Sequence, residues 1–208
     1  MRHSSGFTVV ELLVVIVVIG ILAAVSIVAF TGVRQHATDT SQVAAVGNWE
    51  KVLKAYYARY NKLPTITSTS MPPSMFGGTP VDRAVCLGRS YPADGYFGNG
   101  ECLSIFMGKA GAVDTPFMNQ IETMATVNGL NMERIGAEVE EDGVQYSFVT
   151  RGAALLADPN DSAATARIFY GIMGKKCEAG DESVLNYDEI DNPTLRGNLC
   201  IRHLKLVL

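Results

Sequence analysis

The sequence has no block of charge of one sign, no C-x-x-C pair, and no internal repeat or low-complexity tract. Its net charge of −4, without a basic face, argues against a dedicated nucleic-acid binder, so no specific nucleic-acid partner is expected. It also lacks G-x-S-x-G, H-E-x-x-H, P-loop and dinucleotide-binding fingerprints, which removes the commonest grounds for expecting an enzyme. Histidines number only three: His3 near the start, His36 in a helical stretch, and His203 alone on an expected strand, where a structural role is favoured. The most informative absence is local. Between Leu12 and Phe30 there is no charged residue and no proline.

The four cysteines are Cys86, Cys102, Cys177 and Cys200. None has a histidine at zinc-finger spacing, so a metal role is disfavoured. An even count behind an export signal instead suggests disulfides made in an oxidising compartment. Three pairings are open to the sequence. Cys86–Cys102 and Cys177–Cys200 are favoured because each closes a short excursion containing Gly, Asp or Asn, and each would stabilise by roughly 3 kcal/mol in the loop-entropy model.

As a helix, Leu12–Phe30 would be about 28 Å long, close to the thickness of bilayer hydrocarbon. Its small residues Gly20, Ala23, Ala24 and Ser26 recur where helices can approach closely. A secretory signal would need a shorter apolar core followed by a small-residue cleavage site. Here the small residue, Gly6, precedes the run, so a cut there leaves the helix on the mature protein. Glu11 stands out at the start of the span, where a carboxylate costs about 2.5–3.5 kcal/mol at mid-bilayer and so calls for a partner. A new amino terminus at Phe7 would supply one, within a chain or between staggered chains. The amino end of its own helix also favours the charge.

The stretch Gly6-Phe7-Thr8-Val9-Val10-Glu11, continued by the apolar run to Ala24, resembles the class III signal of type IV prepilins. That resemblance implies cleavage between Gly6 and Phe7 by prepilin peptidase, N-methylation of the Phe7 amine, and a role for Glu11 in methylation and docking. It implies further partners as well: other pilin subunits in a homopolymer, the inner-membrane assembly platform, and the membrane before assembly. The subunit would be a single-pass inner-membrane protein first and part of an extracellular filament afterwards. A pseudopilin of a type II secretion or DNA-uptake machine shares the same N-terminus. A membrane-anchored binding module that keeps its leader is the alternative from another class. Many family members carry proline where this chain has Val28, and lose helix between the equivalent of Gly20 and that proline; this chain departs from the pattern.

Beyond Thr31 the sequence turns polar but keeps a helical rhythm. Val46, Trp49, Leu53, Tyr56 and Tyr60 follow three-four spacing and draw one apolar stripe, and Pro64 should end the helix near Asn61. The expected organisation is a leader at 1–6, a hydrophobic helix at 7–30, its amphipathic half at 31–61, and a head at 62–208. Thr115-Pro116 suits a helix start, with Gly129 as its stop. Asp142-Gly143 is a hairpin-type turn before the alternating strand 144–149, and strands are also expected at 167–172, 199–201 and 204–208. The fold class is thus α+β: a long hydrophobic then amphipathic helix packed against a small antiparallel sheet. Asp188, Glu189 and Asp191 could gather oxygens for calcium, the only cofactor worth weighing. They lack the spacing and glycine of an EF-hand, which favours a solvated loop, although some secretion pseudopilins bind calcium in their C-terminal loops.

Overall fold

Helix α1 runs from Val9 to Tyr60. In the computed structural model, residues 9–68, 83–106, 108–127, 129–141, 144–157, 166–174, 176–184 and 197–206 are described. No proline interrupts α1, and its backbone is helical through Gly20 and Val28. Its end has a local cause. The Asn61 N–H still bonds the Tyr57 carbonyl at 2.7 Å, but Asn61 itself turns left-handed, with φ 50°. Asparagine tolerates that conformation better than most residues. The chain divides into two units, Met1–Ala37 and Thr38–Leu208. The first contains the apolar part of α1; the second contains the rest of α1 and the head.

The head's strands are β1 (Arg83–Cys86), β2 (Glu101–Phe106), β3 (Gly108–Ala112), β4 (Ile135–Glu141), β5 (Val144–Thr150), β6 (Ala153–Ala157), β7 (Arg167–Ile172), β8 (Glu182–Ser183) and β9 (Asn198–His203). A short helix, α2 (Thr115–Glu122), follows β3. Among the described residues the strands make one nine-stranded sheet in the order β4-β5-β2-β3-β1-β6-β7-β9-β8, larger than the small sheet the sequence suggests. Every neighbouring pair is antiparallel except β1 and β3, which meet in parallel at Val85 and Ala112. The final strand ends at His203, so residues 204–206 are not the expected extension. Helix α2 stops at Glu122 rather than near Gly129. The expected turn at Asp142-Gly143 lies outside the described residues.

Strand alternation sorts the core onto two faces. Val85, Leu155, Ile168, Tyr170 and Cys200 point to one face, where they pack with Val46, Trp49 and Leu53 of α1 and with Phe117 and Ile121 of α2. Ala84, Cys86, Leu156, Phe169 and Ile201 point to the other, where they meet Cys102, Leu103 and Ile105 of β2. With β6 buried on both sides, its sequence is an unbroken apolar run, Ala153-Ala154-Leu155-Leu156-Ala157, and shows no period. The sheet also curls on itself. Although β4 and β7 are remote in strand order, a Cβ on Gly171 would lie 2.4 Å from the Ile135 Cβ. Only glycine allows the edge strand β4 to seat Ile135 against β7 at that point.

Candidate functional site

The apolar segment of α1 has no counterpart in the head. Val9 is 81% and Phe30 69% exposed, and the aliphatic side chains from Leu12 to Val25 are exposed around the whole helix. The window Val9–Ser26 is long and apolar enough to cross a membrane. Each such side chain gains about 1.5–3 kcal/mol on full burial, so a helix apolar on all sides demands lipid or other helices around it. Its one hydroxyl among the described side chains of that window is already satisfied, since Ser26 Oγ donates to the Leu22 carbonyl at 2.7 Å. Among the described residues nothing lies within 4 Å of where a Cβ on Gly20 would stand, which leaves a shallow notch in the helix surface. Glu11 sits in the first turn of α1, the end at which a helix dipole favours a negative charge. Gly6 and Phe7 lie outside the described residues, as do the whole leader 1–6 and the calcium candidates Asp188, Glu189 and Asp191.

The head is organised by bonds that close loops. Disulfides join Cys86 to Cys102 and Cys177 to Cys200. Between the first pair, the excursion 87–101 wraps around Arg151, which follows β5 and is 2% exposed. Its guanidinium donates to the carbonyls of Pro92, Gly98 (2.9 Å), Tyr91 (3.3 Å) and Glu101 (2.8 Å). Asp94 stands 3.7 Å away, and the ring of Phe97 lies 5.1 Å from the guanidinium carbon. A charge is tolerated at such a depth because its donors find acceptors. Burial would raise the pKa of Asp94, but N–H bonds from Phe97 and Tyr96 and the Arg151 charge outweigh it and hold the carboxyl below its usual range.

Asp114 caps α2 and ties an earlier segment to it. One oxygen accepts from Phe117 N–H at 2.8 Å; the other accepts from Thr67 N–H, the Thr67 hydroxyl and Ser68 N–H. Burial alone would push its pKa up, yet these bonds win and depress it. On the face that carries α1, Arg202 reaches Asp181 at 2.8 Å and Glu50 of α1 at 3.6 Å. The Tyr170 hydroxyl also donates to Asp181, and burial, reinforced by that carboxylate, raises the tyrosine's pKa. His203 ends β9 with Nε2 3.0 Å from Glu182, half exposed, as a surface partner of β8. Arg151, Asp181 and Arg202 carry no local signature, because their partners are remote in sequence; Asp114 has the local pattern of a helix cap before Thr115-Pro116, and only its bonds to Thr67 and Ser68 are non-local. Among the described residues no group of His, Cys, Asp or Glu could hold a metal ion.

From Val9 to Ser26, then, α1 is apolar around its circumference and carries one acid in its first turn. The family model for the prokaryotic N-terminal methylation motif matches residues 1–27. The match covers the N-terminal segment only; that segment is similar to the class III signal of type IV pilin-like proteins, and the apolar helix it runs into is long enough to cross a membrane. No curated protein and no solved structure matches it.

Proposed function

We propose that this chain is a structural subunit of a type IV pilus-like filament. It is cut between Gly6 and Phe7, methylated on the Phe7 amine, and held in the inner membrane by α1 until assembly moves it into an extracellular filament. In the filament, apolar burial of neighbouring helices supplies the attraction. Pairing of Glu11 with a neighbour's Phe7 amine sets the stagger, because a misplaced subunit leaves a charge unpaired in a water-excluded bundle. The observation that carries this reading is the methylation motif at residues 1–27 running into a helix that exposes apolar side chains on every side.

The test is direct. Glu11→Ala is expected to leave membrane insertion intact and to reduce incorporation into filaments; unchanged filament yield would sink the role of Glu11. N-terminal sequencing should find methylated phenylalanine at Phe7, and Gly6→Asp should block processing. An intact leader on the mature protein would instead favour an anchored binding module. Imaging filaments beside a deletion strain separates a pilus from a short secretion or DNA-uptake fibre.

A further inference from the structure

The stripe by which α1 packs on the sheet does not start at Val46. Extended backwards at the same three-four spacing it passes through Gln42 and Asp39, so the seam opens with two polar residues. Both are engaged with head backbone. The Asp39 carboxylate accepts from two successive N–H groups, Met173 at 2.6 Å on Oδ1 and Gly174 at 2.8 Å on Oδ2. Gln42 is 1% exposed; its Nε2 donates to the Gly152 carbonyl at 2.7 Å and its Oε1 accepts from Asn131 N–H at 2.6 Å. Gly152 N–H in turn bonds the Asn131 carbonyl at 2.7 Å, so Gln42 plugs a joint between two loops. A Cβ on Gly174 would lie 3.0 Å from Asp39 Oδ2, close enough that glycine suits the site.

We propose that Asp39 and Gln42 are register-determining residues, fixing where along its axis α1 seats on the sheet. The physical reason is the difference between directional and non-directional contacts. Val46, Trp49 and Leu53 are apolar and would find apolar surroundings again after a slide of one turn, about 5.4 Å. Such a slide puts Val46 where Gln42 had been, against the Gly152 carbonyl and Asn131 N–H, and takes the carboxylate away from two amides. Buried polar groups left without partners are penalised, which is how a single polar residue in an apolar helix seam selects one register. The Glu50–Arg202 contact at 3.6 Å, with Arg202 lying over Gly47, adds a third directional contact lower on the helix. This inference rests on the proposed filament role in one respect only: in a filament, axial load on α1 would pass to the head through these bonds.

The test uses the full chain in detergent micelles, where no filament is needed. Spin labels go on cysteines introduced at the exposed positions Lys51 and Glu178, the native cysteines being disulfide-bonded. The unaltered seam should give one narrow distance population. Asp39→Leu with Gln42→Leu should add a second population displaced by about one helical turn, ~5 Å, and should speed amide exchange at Met173 and Gly174 at least tenfold. Val46→Ala, which weakens the same seam without touching its polar end, should lower the melting temperature but keep the single distance. A folded double-leucine variant with one unchanged distance would overturn the proposal, as would a slip of the same size in Val46→Ala. Should the double variant not fold, Gln42→Leu alone carries the same distance test. Shear breakage of filaments then asks the separate question of load: absence of filaments from the unaltered chain would count against the filament role and leave the register result standing.

Discussion

The two units of this chain solve opposite problems with the same helix type. From Val9 to Ser26, α1 presents aliphatic side chains all round, none of them buried among the described residues. From Thr38 onward it narrows to a stripe, and Val46, Trp49 and Leu53 are fully buried. The first arrangement is stable only where water is absent, so its packing energy has to come from surroundings outside the chain. The second completes its burial within one subunit, and its buried acids and arginines find partners there. Helicity itself says nothing about which regime applies; the distribution of apolar side chains around the axis does.

The comparison breaks first at the head's buried charge. Arg151→Ala should destabilise the head by about 3–5 kcal/mol, since it removes a buried cation and leaves the loop carbonyls without donors. Chemical unfolding of the detergent-solubilised chain, followed by near-ultraviolet circular dichroism, measures this. The sharpest contrast sets two leucines side by side. Leu53→Ala should cost about 2–5 kcal/mol by the same measurement. Leu13→Ala should leave the head transition where it was, and a matching loss there would contradict the division between the units. Cys177→Ala with Cys200→Ala should cost about 3 kcal/mol, read as a lower denaturant midpoint.

Asp114→Ala comes next, at about 1–2 kcal/mol for a lost cap. Because folding depresses this carboxyl's pKa, its stabilisation is fully present above the ordinary aspartate value of about 4. It is lost as pH falls through the lower folded-state value. Unfolding curves of the native chain and Asp114→Ala should therefore converge in acid, and a constant gap from pH 7 to pH 2 would argue against the cap. The smallest effect belongs to the surface. Arg89 and Glu122 meet at 2.6 Å but are both 42% exposed, so Arg89→Ala should leave the midpoint unchanged within error.

Legibility along the chain followed the range of the interactions involved. The strand Arg167–Ile172 is a short run rich in β-branched and aromatic residues, so local composition reveals it. By contrast, β3 is Gly-Lys-Ala-Gly-Ala, which no propensity would place in a sheet; its neighbours β2 and β1 hold it there. The doubly buried β6 lost its period for the same tertiary reason. Three cysteine pairings were open to the sequence, and it is the sheet that brings Cys86 of β1 beside Cys102 of β2. Gly6, Phe7 and Glu11 fall within the matched motif at residues 1–27, which is contiguous in sequence and needs no fold to be found. Asp39 and Gln42 escaped notice because polar residues do not announce themselves as members of an apolar stripe.

What the sequence determined by itself is the N-terminal element: an uncharged run, one acid at its start and a glycine before it are local facts, and the solvent they require follows from transfer energies alone. The head was decided by tertiary structure. The order of its strands, the curl that needs Gly171 under Ile135, and the cage around Arg151 all depend on residues far apart in the chain. Each partner's choice becomes visible only when the other is in place.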